Sequence, residues 1–109
     1  MKEIVLDTET TGLSAAFGDK IVEISIVGGD GEILLNTLVD PERNIPYSAT
    51  NVHGIRANMC EGFPTIEELL PRINEIISGE KVVIYNSSYD IQFFPDRPDL
   101  RLSSDVVRY

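Results

Sequence analysis

The sequence predicts one α/β domain whose sheet begins with antiparallel strands and continues with parallel ones. Three features indicate this fold class: an apolar strand-like run near the N-terminus, a run rich in β-branched residues before a glycine-rich turn, and an amphipathic helical pattern in the second half. A chain of 109 residues is the size of one small globular domain. We therefore interpret residues 1–109 as a single domain.

Three predicted strands make up the first half of the chain. Residues 3–6 form an apolar run that ends in Asp7, and residues 21–27 alternate partly in polarity. The turn signal Gly28-Gly29-Asp30-Gly31 leads into residues 32–39, which complete a hairpin. Together these segments predict a three-stranded antiparallel meander.

The clearest helical pattern lies in the second half. Thr65 and Glu68 match a capping box, and Gly79 marks the end of the helix. Pro71 lacks a backbone donor, so we expect it to kink the helix or to break it into two shorter ones. The apolar positions at helical spacing are Ile66, Leu69, Leu70, Ile73, Ile76 and Ile77.

The remaining elements complete the order β-β-β-α-β-α-β, which gives five strands. They are a loop at 40–46, a short helix at 48–52, a strand at 81–85, a helix from Ser87 or Ser88 to Phe94, and a last strand at about 100–104. The strands that follow helical crossovers are expected to be parallel. This order fits a ribonuclease-H-like mixed sheet, and several other α/β folds share it.

The charge balance argues against a surface built to attract nucleic acid. Such attraction normally depends on lysine and arginine, whereas this chain has a formal net charge of −9. Clustered carboxylates can bind divalent cations, which reverse the local sign of charge. Composition alone therefore does not exclude that the chain acts on phosphodiester bonds.

Cysteine usage and hydropathy exclude several classes of protein. Cys60 is the only cysteine, so we expect a buried or half-buried free thiol, and no cluster of cysteine and histidine exists to hold zinc. No stretch approaches the roughly 20 apolar residues of a membrane span, and the N-terminus lacks the features of a signal peptide. The protein is therefore expected to be cytoplasmic.

Two carboxylates near the end of the first strand form a candidate site. Asp7 and Glu9 lie two residues apart, so their side chains point to the same face of the sheet. Such a pair repels itself without a cation, and Mg²⁺ or Mn²⁺ prefers oxygen ligands. A solvated surface pair is the alternative. The following Thr10-Thr11-Gly12-Leu13 favours a functional site, because hydroxyl groups, backbone N–H groups and a glycine allow close approach by a ligand.

A second polar segment follows the predicted strand at 81–85. The run Tyr85-Asn86-Ser87-Ser88-Tyr89 leads into Asp90, in the first turn of a predicted helix. The helix dipole favours an aspartate there, which would be a purely structural explanation. If this strand lies beside the first one, Asp90 becomes a third carboxylate of the same cluster.

These motifs, in this order, resemble those of the DEDD exonuclease superfamily. The matching segments are Asp7-Thr8-Glu9-Thr10-Thr11-Gly12-Leu13, Asn51-Val52-His53-Gly54-Ile55 and Tyr85-Asn86-Ser87-Ser88-Tyr89-Asp90. Within the superfamily the chain looks most like the branch of exonuclease X and the DNA polymerase III epsilon proofreading subunit, because Phe94-Pro95 precedes Ser103-Ser104-Asp105. The resemblance covers nearly the whole chain.

The resemblance implies a ribonuclease-H-like fold, two Mg²⁺ or Mn²⁺ ions, and removal of nucleotides from the 3′ end of single-stranded DNA. By position, Asp7, Glu9 and Asp90 resemble the catalytic metal ligands. His53 is the only histidine, and its motif indicates a flank of the nucleotide pocket rather than a catalytic group. The positions that resemble substrate-binding residues are Thr10, Thr11, Gly12, Val52 and His53.

The family pattern is incomplete at the C-terminal side. Members of the superfamily carry a third motif, His-x-Ala-x-x-Asp or Tyr-x-x-x-Asp, that supplies a general base and a fourth carboxylate, and neither pattern occurs up to Tyr109. We therefore expect a C-terminally shortened domain that lacks the C-terminal helices and has impaired metal binding and turnover. The sheet face left uncovered is expected to support a homodimer.

Two other interpretations remain open at this point. The first is a non-catalytic remnant that binds metal, nucleic acid or a polymerase partner through the preserved half-site. The second is a structural or interaction domain in which the carboxylates have no chemical role. Turnover that depends on Asp7 would separate the enzyme from both.

Overall fold

The computed structural model describes residues 3–84 and 90–94, and the backbone of residues 106–108. Its described strands form one mixed sheet with the order β3-β2-β1-β4-β5. The strands are β1 (Glu3–Thr10), β2 (Ile21–Gly28), β3 (Ile33–Leu38), β4 (Lys81–Ile84) and β5 (Val106–Arg108). The prediction of an α/β fold with a five-stranded mixed sheet is confirmed.

Strand pairing follows the predicted change from antiparallel to parallel. β1 and β2 are antiparallel, as are β2 and β3, whereas β4 runs parallel to both β1 and β5. β1 continues past the apolar run to Thr10, which pairs with Ile21, so Asp7 and Glu9 lie near the end of the strand, as predicted. Pairing with β2 keeps this polar segment extended, and a pattern of apolar residues cannot detect that.

The two faces of the sheet have different environments. Ile4 and Leu6 of β1 are buried in the main core, whereas Val5 is 45% exposed and Asp7 is also exposed. Since alternate residues of a strand point to opposite faces, Val5, Asp7 and Glu9 share the other, open face. The open face therefore carries both the candidate carboxylates and an apolar patch.

The main core lies between the sheet and one helix. The described helices are α1 (Tyr47–His53), α2 (Ala57–Cys60) and α3 (Ile66–Ile77), with a 3₁₀ turn at Ala15–Phe17. The helix predicted at 48–52 is present as α1, and α2 was not predicted. The buried residues of α3 pack on the sheet and are Ile66, Leu69, Leu70, Ile73 and Ile77. None of the described helices combines the length and apolarity needed to cross a membrane.

Helix α3 begins as the sequence predicts but does not break at Pro71. The side chain of Thr65 accepts a hydrogen bond from the backbone of Glu68, and the Glu68 carboxylate accepts one from the Thr65 backbone. The helix is continuous across Pro71, so the expectation of two shorter helices is wrong. Pro71 is exposed, while Leu70 and Ile73 beside it are buried, so packing holds the helix on both sides of the proline.

Several predicted features fall outside the described residues. They are the caps at Ser87 or Ser88, the C-terminal residue of the strand at 81–85, and the strand at 100–104. Residues 90–91 are helical, as predicted, whereas residues 92–94 form a turn, so the predicted end of the helix at Phe94 is too late. Two short-range bonds form this turn: Phe93 N–H donates to the Asp90 carbonyl and Phe94 N–H to the Ile91 carbonyl. The strand that the structure describes in this part is β5.

Candidate functional site

Asp7 and Glu9 lie side by side on the open face of β1. Asp7 is exposed and Glu9 is half-buried. In the antiparallel pairing Asp7 is opposite Ser25, and Glu9 is opposite Glu23 on β2. The pair therefore faces solvent at the end of β1 where the following loop begins.

Asp90 approaches the same strand from the core side. Its carboxylate is 3% exposed, and its Oδ1 accepts a hydrogen bond of 2.5 Å from the hydroxyl of Thr8. Thr8 lies between Asp7 and Glu9 in sequence, and its side chain points to the opposite face of β1. Thr8, which lies between Asp7 and Glu9, thus holds the Asp90 carboxylate against β1.

The three carboxylates affect one another electrostatically. Burial is the largest cause that raises the pKa of Glu9, and the charge of Asp7 raises it further; the charge of His53 lowers it, and the charges of Glu23 and Asp90 raise it by smaller amounts. Burial also raises the pKa of Asp90, where the charge of Asp7 adds to it and the hydrogen bond from Thr8 offsets part of the change. Asp7, Glu9 and Asp90 therefore form one cluster of negative charge.

The chemistry of this cluster fits a hard divalent cation. Carboxylate oxygens are the ligands that Mg²⁺ and Mn²⁺ prefer, and a cation would relieve the repulsion that raises the two pKa values. In residues 3–84 and 90–94, however, no three side chains of histidine, cysteine, aspartate or glutamate are arranged as a ready ligand set. The donor types fit an ion, whereas their present positions do not enclose one.

A cleft of about 400 Å³ begins beside Glu9. It lies between the end of β1 and helix α1, and most of its lining is apolar. Leu13 and Val52 are each 83% exposed at this cleft, so two large apolar side chains face solvent there. The lining residues are Thr8, Glu9, Thr10, Gly12, Leu13, Ser48, Ala49, Val52 and His53.

Asp19 holds the loop after β1 in place through hydrogen bonds. Thr11 is 1% exposed, and its hydroxyl donates to Asp19 Oδ1 at 2.9 Å, while the backbone N–H of Ser14 donates to Oδ2 at 3.1 Å. Thr10 and Gly12 line the cleft, and the Thr10 hydroxyl donates to the Gly12 carbonyl at 2.6 Å. Among the predicted binding residues, Thr11 thus has its hydroxyl turned away from the cleft.

Three functional contributions were not found from the sequence. Thr8 was given no role, although strand alternation already predicts that its side chain points to the face opposite Asp7 and Glu9. Asp19 had no motif, because its role depends on a loop that folds back over eight residues. Ser48 and Ala49 line the cleft from α1, and their contribution follows only from the packing of that helix beside β1.

Comparison with known proteins places this arrangement in a family. The family model RNase_T, described as Exonuclease, matches residues 4–97. The chain belongs to this exonuclease family. The expected relation to the DEDD exonucleases is thereby confirmed, and the domain is homologous to exonuclease X and to DNA polymerase III epsilon.

Individual relatives support the same assignment. DNA polymerase III PolC-type of Clostridium perfringens is 44% identical over 93 residues, which are 83% of this chain and 6% of that protein. DNA polymerase III subunit epsilon of Rickettsia conorii is 33% identical over 110 residues, which cover 97% of this chain and 48% of the subunit. The chain thus spans about half of the epsilon subunit and a small part of the polymerase.

Solved structures agree in fold. Exonuclease X, in complex with 5′ overhanging duplex DNA, is 34% identical with a TM-score of 0.69, and the match covers 88% of this chain and 55% of that one. Exonuclease I of Methylocaldum szegediense reaches a TM-score of 0.76 at 19% identity, over 99% of this chain and 27% of that one. The second likeness concerns the fold alone.

Proposed function

We propose that this domain is a metal-dependent exonuclease that removes nucleotides from the 3′ end of single-stranded DNA. The observation that carries the proposal is that Asp7 and Glu9 on the open face of β1 interact electrostatically with Asp90, which is bonded to Thr8 on the other face of the same strand, next to a cleft that begins at Glu9 in a chain of the exonuclease family. Carboxylates at a cleft rim provide the negative charge that divalent ions need to bind next to a phosphodiester.

Asp7, Glu9 and Asp90 would hold Mg²⁺ or Mn²⁺. When bound, such an ion supplies a site that polarises the phosphodiester and lowers the pKa of water. Asp7 is exposed and Glu9 is half-buried, so solvent ions can reach both carboxylates, whereas Asp90 is fixed by Thr8. We expect Asp90 to provide the rigid side of the site and the other two to adjust to the ion.

The cleft is suited to the terminal nucleotide. Its apolar wall, with Leu13 and Val52, can pack on a base, and Thr10 and Gly12 lie where the backbone approaches the sugar and phosphate. The contribution of Thr11 would be indirect, through Asp19 and the shape of the loop. His53 would likewise border the nucleotide without acting as a base, since both of its ring nitrogens have partners within the chain.

The solved relative supports DNA as the substrate class. Exonuclease X was solved with duplex DNA that has a 5′ overhang, and it is 34% identical to this chain. The net charge of −9 makes broad attraction to a nucleic-acid backbone unfavourable, so binding would depend on the metal and on the cleft. We therefore expect weak binding of DNA when no divalent ion is present.

A second candidate function is metal or nucleic-acid binding without turnover. Nucleotide binding needs only the cleft beside Glu9, whose lining is mostly apolar, and does not require that the carboxylates hold an ion for hydrolysis. The names of the polymerase relatives also allow a polymerase partner as the ligand of such a domain. In that case the cleft and carboxylates would bind but not hydrolyse.

The deciding experiment uses a 5′-labelled single-stranded oligonucleotide with Mn²⁺. The 109-residue chain should shorten it stepwise, and the Asp7→Ala variant should not. Glu61→Ala is a matched control, because it removes an exposed carboxylate that does not line the cleft. Asp7-dependent Mn²⁺ binding without shortening would support the second function, and absence of both would refute each of them.

A homodimer through the open sheet face is part of the proposal. Val5 is 45% exposed there, and Val27 and Val83 are half-buried beside it in the paired strands. Exposed apolar patches of this kind favour association. A dimer mass by light scattering at micromolar concentration is expected, and Val5→Lys should shift it to the monomer mass. A monomer in the wild type would contradict this part.

A further inference from the structure

Both ring nitrogens of His53 are engaged, and their partners fix its tautomer. The backbone N–H of Ile55 can only donate, and it lies 3.0 Å from Nδ1, so Nδ1 accepts and carries no proton. Nε2 therefore carries the proton of a neutral imidazole and donates it to the carbonyl oxygen of Thr10, 2.9 Å away. The ring thus has no remaining nitrogen for a nucleotide.

The two partners of His53 belong to different parts of the fold. Thr10 is the last residue of β1 and lines the cleft. Ile55 is buried and forms the smaller core cluster with Val22 and Cys60. The imidazole therefore connects the end of β1 with Ile55, a buried residue that follows α1.

Helix α1 depends on polar contacts of this kind, because none of its residues is buried. Its end is closed by the Gly54 N–H, which donates to the Thr50 carbonyl at 2.7 Å, and the Thr50 hydroxyl donates to the Ile55 carbonyl at 2.7 Å. Both bonds stay within residues 50–55. The bond from His53 to Thr10 joins α1 to β1 between two residues that line the cleft, so it restrains the helix relative to the sheet.

We propose that His53 is a positioning residue that sets the width of the cleft between β1 and α1. This inference rests on the proposed function, in which the cleft receives the 3′-terminal nucleotide. The two His53 hydrogen bonds keep the α1 wall, with Val52 and Ser48, at a fixed distance from Thr10 and Gly12. The imidazole acts through the backbone and does not contact the reacting phosphate.

The first test uses the fact that His53 is the only histidine of the chain. Long-range ¹H–¹⁵N spectra of the 109-residue protein at pH 8, above the ordinary histidine pKa of about 6.5, should show the Nε2–H tautomer. Exchange of the Ile55 amide proton should become about tenfold faster in His53→Ala, a factor that corresponds to about 1.4 kcal/mol. Asn51→Ala, an exposed position on the same helix, should change neither property.

Two conservative variants separate the two bonds. His53→Asn can still accept from Ile55, and His53→Gln can still donate to Thr10, so each should lose one restraint. Slow exchange of the Ile55 amide is expected to persist in His53→Asn but not in His53→Gln. These variants also carry the test if His53→Ala does not fold.

The consequence for the cleft is measured with thymidine 5′-monophosphate and Mn²⁺. His53→Ala should bind the nucleotide about tenfold more weakly than the wild type. His53→Gln should bind it severalfold more weakly. Val52→Ala should weaken binding by direct loss of contact, with the tautomer and the Ile55 exchange unchanged. The inference would be overturned if the wild-type protein showed the Nδ1–H tautomer. It would also be overturned if His53→Ala kept the wild-type rate of Ile55 amide exchange and the wild-type affinity for the nucleotide. If the wild type binds no nucleotide, the proposed function fails, and the tautomer and Ile55 exchange still decide the role of His53 in holding α1.

Discussion

A Cβ atom on Gly12 would lie 2.6 Å from Cγ of Asp19, so the loop after β1 passes directly over this carboxylate. The carboxylate cannot move aside freely, because it accepts hydrogen bonds from the Thr11 hydroxyl and the Ser14 backbone. The guanidinium of Arg43 lies 3.4 Å from Oδ1. Close contact with an anchored side chain therefore explains why glycine occupies the position that lines the cleft.

Gly12→Ala should destabilise the domain by about 1–3 kcal/mol, because the new methyl group forces either the loop or Asp19 out of place. In an Asp19→Ala background the same change should cost much less, since the group that clashes is gone. Urea unfolding of the four proteins forms a double-mutant cycle that measures this coupling. Additive effects of the two substitutions would contradict the contact.

Thr8→Val should destabilise the folded state by about 1–3 kcal/mol, because it removes the hydroxyl that donates to the buried Asp90 carboxylate while the side-chain volume is nearly unchanged. Thr8→Ser keeps the hydroxyl and should retain most of the bond. The measurement is the free energy of unfolding at pH 7 in EDTA. A loss in Thr8→Ser as large as that in Thr8→Val, or no loss in Thr8→Val, would contradict the role given to the hydroxyl.

The metal-free domain should lose stability as pH rises above the ordinary carboxyl pKa values near 4. Glu9 and Asp90 have raised pKa values, so the folded state keeps their protons to higher pH than the unfolded state does. Their contribution is favourable while they are protonated and is lost as pH rises through the folded pKa values. Asp7→Asn removes a charge that raises both values, so the loss should be smaller.

This pH effect is measured as the difference between wild type and Asp7→Asn in urea midpoints from pH 4 to pH 7, in EDTA. The comparison cancels the titration of carboxylates far from the site. The variant should gain stability relative to the wild type as pH rises. Parallel curves for the two proteins would show that Asp7 does not act on Glu9 and Asp90.

Pro71→Ala should stabilise the domain by about 1–3 kcal/mol. A proline inside a helix removes a backbone donor and crowds the preceding turn, and alanine removes both penalties, although the unfolded chain gains some freedom. Pro71 is exposed, so no core contact is lost. Thermal unfolding tests the change, and an unchanged or lower midpoint would show that the helix already accommodates the proline.

Most of the fold followed from local patterns. The hairpin of β2 and β3 was predicted by its glycine turn, and the start of α3 by the pairing of Thr65 with Glu68. The break at Pro71 was wrong because packing of the apolar stripe outweighs the local penalty. The apolar pattern of β1 ends at Leu6, whereas the strand continues to Thr10, which agrees with the prediction that Asp7 and Glu9 lie at the end of this strand.

The candidate site was only partly predictable. The spacing of Asp7 and Glu9 fixes their common face, and the fold brings Asp90 to the same strand. Which face Asp90 approaches could not be predicted, because it depends on the bond to Thr8 across 82 positions of sequence. The bonds of His53 were equally hidden, since a single histidine in a motif gives no indication of the partners of its ring.

The central claim is that Asp7, Glu9 and Asp90 hold a divalent ion together. Calorimetric titration of the 109-residue chain with Mn²⁺ tests it most directly, with Asp7→Asn, Asp90→Asn, the double variant, and Glu61→Gln as an exposed control away from the cleft. We predict that each single aspartate change weakens binding at least about tenfold, that the double change costs less than the sum, and that Glu61→Gln has no effect. Mn²⁺ binding that is unchanged in Asp90→Asn, or equally reduced in Glu61→Gln, would contradict the account.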